Sequence, residues 1–203
     1  IQLHLSAQQF PLPHLIGTRR DNNSMLQFGK SIYELFEYIP GQGYPLTLES
    51  TLDAGRVLGL FHKLLEDFQT DPPPTVASYH NAPAIEQGLL GIANNTVDSI
   101  YAGTCRHLAQ LYRDAALKVE GLGISEWPIQ IVHADWHPGN MLFREGRVVA
   151  VIDYDSARIL PKIVDTANGA LQFSIIGGDE HLERWPEHVD ESRFKRFMRG
   201  YDK

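Results

Sequence analysis

The sequence predicts an α+β fold in two lobes, the second much larger than the first. Three observations carry that prediction. The runs "HLIGTRR", "SMLQF" and "SIYELFEYI" are short and apolar, and the turn-forming stretches "DNN" and "GK" separate them, as in a small antiparallel β-meander from Pro13 to Ile39. Beyond the break "PGQGYP" at Pro40 to Pro45, apolar residues recur at helical spacing for most of the chain. Between those helices, two stretches around residues 128–155 read as short strands joined by turns, giving two β-hairpins wedged among helices.

Element by element, "IQLHLSAQQF" reads as the tail of a helix. A helix from about Glu49 to Phe68 carries Ala54, Leu58, Phe61, Leu65 and Phe68 on one face, and "DPPPT" stops it. A shorter helix covers about Ala84 to Ala93. A long one covers about Val97 to Val119, with Val97, Tyr101, Cys105, Leu108, Tyr112, Ala115 and Val119 as its core stripe. "PIQIVHAD" is a buried strand. "NMLFREGRVVAVIDYD" is strand, turn at Glu145-Gly146, strand. A helix from about Ile163 to Ile175 and an acidic loop "GGDEHLERWPEHVDE" follow. Asp190 then caps a last helix with Phe194, Phe197, Met198 and Tyr201 on one face.

Composition narrows the function. The 203 residues carry 18 Lys+Arg against 25 Asp+Glu, a net charge of −7, with no basic face or tail to meet a polyanion. Cys105 is the single cysteine, which excludes an internal disulfide and a cysteine-rich zinc site. No signal peptide or membrane-length apolar run is visible, so the expectation is a cytoplasmic protein with no nucleic-acid and no membrane partner. The chain opens at Ile1 and stops at Lys203 inside a helix, and reads as cut at both ends.

The chemistry concentrates in "HADWHPGNMLF", residues 133–143. It admits three readings. His133, Asp135 and His137 alternate, so on an extended strand they would share one face and could hold zinc for hydrolysis. Alternatively the loop is structural, each polar residue capping a neighbour around the Pro-Gly turn. The third reading is phosphoryl transfer. Asp135 and Asn140 are spaced H-A-D-x-x-x-x-N, which places a hydroxyl-orienting base and a metal-binding amide at opposite ends of one loop. A second metal carboxylate must then arrive from a neighbouring strand, and "VVAVIDYD" supplies Asp153 one hairpin later.

"IVHADWHPGNMLF" followed by "VVAVIDYDSA" resembles the aminoglycoside phosphotransferase and choline kinase-like family, small-molecule kinases with a protein-kinase-like fold. "YELFEYIPG" is similar to that family's hinge between lobes, "LGLFHKLL" to its first long C-lobe helix, and Asp165 to an aspartate that follows its metal loop. The resemblance implies a partial N-lobe meander and a mainly helical C-lobe with catalytic β-hairpins. It divides the chain into an N-lobe remnant (1–39), a linker (40–45) and a catalytic lobe (46–203). It also implies ATP and Mg²⁺ as cofactors and a small hydroxylated substrate resembling an aminoglycoside, choline, homoserine or a sugar.

Residue by residue, the resemblance makes Asp135 the catalytic base, and Asn140 and Asp153 the magnesium ligands. Glu37, Tyr38 and Ile39 become the adenine-binding linker, acting mainly through backbone. Asp155 either supports the metal or orders its loop. His133 reads as an anchor for the loop backbone, His137 as a packing or capping residue, Trp136 as a buttress and His62 as a satisfied core histidine.

The chain departs from the family before Pro13. Too few residues precede the meander to supply the family's nucleotide-covering loop and its phosphate-gripping lysine. The expectation is weak ATP binding and low turnover in this chain, with a catalytically impaired, nucleotide-binding fragment as the alternative and a metal-dependent hydrolase as a further one. Self-association through the exposed sheet edge at residues 13–39 is expected as well.

Overall fold

The computed structural model describes residues 1–75, 80–175 and 188–203. Most of the acidic stretch 177–191 therefore lies outside the described residues. The chain divides into two compact units, Ile1–Thr75 with Gln130–Lys203, and Val76–Ile129.

The first unit opens with a short helix, α1 (Gln2–Ala7), and a hairpin of β1 (Met25–Phe28) and β2 (Ser31–Glu34) turning at Gly29-Lys30. The expected meander is reduced to this hairpin, and its first run survives only as the isolated bridge Leu15–Phe36. The N–H of Asn22 bonds to the Thr18 carbonyl and that of Thr18 to the Asn23 carbonyl, which folds residues 18–23 into a turn and leaves no length for a third strand. Every residue of β1 and β2 is exposed.

Helix α2 (Leu48–Leu64) starts where Thr47 Oγ1 accepts the Ser50 N–H. It buries Ala54, Val57, Leu58 and Phe61, with Leu65 just beyond its end, so the predicted stripe faces the core; the helix closes at Leu64 rather than Phe68. It packs along the last helix, α6 (Glu191–Tyr201), which Asp190 caps by accepting the N–H groups of Ser192 and Arg193 at 2.8 and 3.0 Å. Such a cap is worth about 1 kcal/mol. The two helices approach closely because a Cβ on Gly200 would stand 2.0 Å from the Leu52 carbonyl oxygen, and one on Gly55 would stand 2.1 Å from that of Phe197.

Four strands carry the loops of interest: β3 (Ile129–Val132), β4 (Met141–Arg144), β5 (Arg147–Val151) and β6 (Arg158–Pro161). β4 and β5 form the expected hairpin, turning at Glu145 and Gly146 with φ of 49° and 76°. Left-handed backbone at both turn residues matches the right-handed twist of the flanking strands, and glycine takes it without strain. The second expected hairpin is absent. β3 pairs instead with β6, a strand that "ARILP" is too short to announce. Helix α5 (Lys162–Gln172) follows at once.

Asp53, fully buried on α2, fastens that helix to β5. It accepts hydrogen bonds from Arg56 Nε at 2.7 Å, Arg147 Nη1 at 2.9 Å and the Val148 N–H at 2.8 Å. Burial pushes its carboxyl up, but the Arg56, Val148 and Arg147 donors outweigh it and hold the group below the ordinary aspartate range.

The second unit packs α3 (Pro83–Asn95) against α4 (Ser99–Gly121), with Glu86 paired to Arg113 and Asp98 capping α4. The predicted stripe of α4 is corrected here. Cys105 is buried as expected, but its companions are Ala102, Ala109 and Ala116, whereas Val97, Tyr101, Leu108 and Ala115 are exposed. Alanine and cysteine let two helix backbones come close, so the small-residue face packs and the bulkier one turns outward. Among the described residues no helix is long and apolar enough to cross a membrane.

Candidate active site

β3 delivers the chain to His133, and the backbone then reverses. Ala134 has φ of 64°, the left-handed region that a side chain normally avoids. The reversal is held by Asp165 on α5, fully buried, whose two carboxylate oxygens accept the N–H of His133 at 2.8 Å and of Ala134 at 2.7 Å. His133, Asp135 and His137 therefore do not share one strand face, which removes the geometric basis of the zinc reading. Among the described residues no group of three or more histidine, cysteine or carboxylate side chains is placed to hold a metal.

His133 is fully buried against Trp136 and Tyr154, its ring 5.4 and 5.1 Å from theirs. Burial pushes its pKa down, against the opposing pull of Asp165. The neutral ring donates Nε2–H to the Ile152 carbonyl at 3.3 Å, so it anchors the loop. Trp136, also fully buried, is the buttress the sequence suggested.

Asp135 is partly exposed, and its Oδ2 lies 3.4 Å from His137 Nε2. His137 Nδ1 accepts the Gly139 N–H at 3.0 Å, so the imidazole caps the single 3-10 turn Pro138–Asn140. That bond makes Nδ1 the acceptor and leaves Nε2–H facing the Asp135 carboxylate. Asn140 is buried at the end of the turn. Its Nδ2 donates to the Asp135 main-chain oxygen at 3.1 Å and to Oδ2 at 3.0 Å. Both neighbours are acceptors, which fixes the amide orientation and leaves Oδ1 outside these two bonds.

Asp153 follows β5, exposed and with φ of 64°. The residue before it is bonded to the loop of Asn140. Ile152 donates its N–H to the Asn140 carbonyl at 3.0 Å while its own carbonyl receives His133. One residue thus staples the two loops together. Left-handed backbone at Ala134 and at Asp153 costs about 1–3 kcal/mol each, and such cost persists where surrounding bonds over-determine it. Asp155 is exposed in the next turn.

Glu37, Tyr38 and Ile39, expected in the linker, lie elsewhere on this unit. The Glu37 N–H is spent on the His14 carbonyl at 3.0 Å, and Tyr38 is 88% exposed. Further along, Gln42 exchanges both backbone hydrogen bonds with Phe143 of β4 at 2.8 Å. "PGQGYP" is therefore paired to the site-bearing hairpin rather than forming a phosphate cradle. An open cavity of about 340 Å³ is lined here by Pro40, Gly41, Gln42, Phe143, Arg144 and Glu145.

Sequence reasoning placed Asp165 in the family pattern but gave it no role, and it missed the group behind it. His62 Nε2 lies 3.2 Å from Asp165 Oδ2, and His62 Nδ1 lies 2.9 Å from the Tyr201 hydroxyl. The helical apolar stripe showed Tyr201 only as a core residue. Its partner is far away in sequence, and no local pattern could have joined them.

A strand, a left-handed reversal leading into Asp135, an asparagine hydrogen-bonded back to it and an aspartate one residue past Ile152 make up this pair of loops. The model of the phosphotransferase enzyme family matches residues 1–201, and the chain belongs to that family. No curated protein matches the chain. Among solved structures, an amicoumacin kinase in complex with AMP-PNP and Ca²⁺ is similar at a TM-score of 0.67 and 17% identity, over 98% of this chain and 58% of that one. An aminoglycoside phosphotransferase from Alicyclobacillus acidocaldarius gives 0.61 and 22%, over 96% and 61%. A microcompartment-associated aminopropanol kinase gives 0.59 and 19%, over 98% and 61%. These likenesses establish a protein-kinase-like α+β fold. The chain spans 58% to 61% of the length of these three structures.

Proposed function

We propose that this protein transfers the γ-phosphoryl group of ATP to a hydroxyl of a small molecule, of the aminoglycoside, choline, homoserine or sugar-like kind. The observation that carries this reading is the pair of hydrogen bonds that Asn140 Nδ2 donates to Asp135, with Ile152 stapling the Asp153 loop against it. In that arrangement the exposed oxygen of Asp135 accepts the proton of the acceptor hydroxyl as it attacks, and His137 Nε2–H steadies the carboxylate. Asn140 Oδ1 and the Asp153 carboxylate offer only oxygen donors, which suits magnesium rather than zinc. When bound, the ion would neutralise phosphate charge.

Residues 37–39 are assigned to the adenine through backbone groups; because the Glu37 N–H is engaged, its carbonyl and the groups of Tyr38 and Ile39 carry that role. The division into N-lobe remnant (1–39), linker (40–45) and catalytic lobe (46–203), and a cytoplasmic setting, belong to the same reading. So does self-association through the hairpin, whose Met25, Phe28 and Ile32 are 51%, 76% and 66% exposed.

The test is ADP release from MgATP across a panel of such hydroxyl compounds, on this chain and on a form extended at its N-terminus. Acceptor-dependent ADP release that disappears in Asp135→Asn supports the proposal. Nucleotide binding with no acceptor-dependent turnover in either form would assign the protein to the binding class instead.

A further inference from the structure

The segment just past Gln42 is held in a costly shape. Leu46 has φ of 57°, left-handed backbone that a leucine normally avoids, and its side chain is 54% exposed, so burial does not offset the strain. What holds it reaches over from the last helix. Arg193 on α6 donates from Nη2 to the Leu46 carbonyl at 2.5 Å and from Nη1 to the Tyr44 hydroxyl at 2.8 Å. Neither direction can reverse, because a guanidinium only donates. Arg193 Nε lies 3.6 Å from Asp190 Oδ2, and its Cζ lies 6.0 Å from the centre of the Tyr44 ring. Tyr44 packs that ring 5.5 Å from Phe143 and 5.0 Å from Phe173, and its hydroxyl meets Thr51 Oγ1. Two residues before Tyr44, Gln42 exchanges both backbone bonds with Phe143 of β4.

We infer that Arg193 is a positioning residue for nucleotide binding: from α6 it fixes the backbone of residues 44–46, and with it the Pro40–Gln42 wall of the cavity that β4 completes. This inference rests on the reading of residues 37–39 as the adenine-binding linker, which runs directly into that wall. The alternative role is a tie between α6 and its neighbours that adds stability alone. The two differ in what Leu46→Gly does. Glycine takes left-handed backbone without a Cβ clash, so a loop that relies on Arg193 to keep this shape relies on it less with glycine at 46. A tie that only joins α6 to the loop gains nothing from glycine, which adds freedom to the unfolded chain.

Arg193→Met keeps the apolar stem and removes every donor. Arg193→Lys keeps the charge but replaces the fork that reaches two acceptors with a point charge. The probe is MgADP, titrated by calorimetry. Its Kd should rise by up to about tenfold in Arg193→Met, the equivalent of one charge-assisted hydrogen bond. The rise should be smaller in Arg193→Lys and should reverse when Leu46→Gly is added to either. In turnover, KM for ATP should rise while kcat holds, because the Arg193 bonds run to Tyr44 and Leu46 and not to Asp135. Lys195→Met, which breaks an exposed pair with Glu191 on the same helix, should change neither quantity. An unchanged Kd in Arg193→Met would overturn the inference, and so would a rise that Leu46→Gly fails to reverse. If Arg193→Met does not fold, the same comparison in Arg193→Lys decides.

The backbone amide signals of Gln42 and Phe143 read the same link without nucleotide. In a nuclear magnetic resonance spectrum they should move and exchange faster in Arg193→Met, return with Leu46→Gly, and stay in place in Lys195→Met. Unmoved amides in Arg193→Met would sink the positioning role. Amides that move in a protein whose native form binds no MgADP would keep the clamp on residues 44–46 and sink only the linker reading.

Discussion

Asn140 reaches back across its own loop to Asp135, its Nδ2 3.0 Å from Oδ2 and 3.1 Å from the main-chain oxygen of the same residue. The contact orients the carboxylate but occupies only part of its acceptor capacity, leaving lone pairs for a substrate proton. Asp135→Asn keeps an oxygen that can receive Asn140 and removes the base. Turnover should fall by about 10²–10⁴-fold with the fold intact. Steady-state assay alongside circular dichroism checks it, and near-unchanged turnover would strip Asp135 of its role.

The metal assignment makes a separate prediction. Asp153 is exposed one residue beyond the backbone bond from Ile152 to Asn140, and neither side chain offers a soft ligand. In Asp153→Ala, calorimetric titration should lose the magnesium-dependent part of ATP binding and keep any magnesium-independent part. Zinc chelators should leave the native protein unaffected. Stoichiometric zinc at His133 and His137 would reverse the assignment.

His133 gives the acid sensitivity a sign. Burial holds its pKa below the ordinary value of 6.5, so below that pH the unfolded chain takes up a proton that the folded chain refuses. The stabilisation is present in full above the unfolded value and is lost as pH falls toward the folded one. The slope reaches at most about 1.4 kcal/mol per pH unit. His133→Gln, which places an amide N–H near the former Nε2 for the Ile152 carbonyl, should flatten stability against pH below that value, as read by urea unfolding. An unchanged slope would mean that His133 is not the group responsible.

The strand-turn-strand frame that carries the candidate residues was legible in the sequence because it is local. Asp135, Asn140 and Asp153 sit within one strand-turn-strand stretch, and their spacing fixes their relative places. The helical stripe of α2 was legible for the same reason. What stayed hidden depends on partners remote in sequence. β6 was missed because a four-residue strand has no periodicity of its own and exists by pairing with β3. The meander was over-read because its apolar run at residues 14–20 looks like a strand until the turn at 18–23 consumes it. The stripe of α4 was misjudged because large apolar residues suggest a core, yet that helix buries its small ones.

Two glycines in helices should respond in opposite directions to the same change. Gly200 on α6 faces the α2 backbone, where an added Cβ would meet the Leu52 carbonyl oxygen at 2.0 Å and its carbon at 2.9 Å. Backbone cannot rotate away as a side chain would, so the helices must separate. That separation disturbs a closely packed crossing and draws Tyr201 away from His62, 2.9 Å distant in the native protein. Gly200→Ala should therefore destabilise by about 1–3 kcal/mol, as overpacking does, despite the better helix propensity of alanine. Gly88 lies inside α3 with nothing within 4 Å of its added Cβ. There only the propensity and chain-entropy terms remain, and Gly88→Ala should stabilise by about 0.4–1 kcal/mol. Denaturant unfolding of the two variants, followed by amide exchange in α3 and α6, reads both signs. If both substitutions stabilise, the α2–α6 crossing is looser than described.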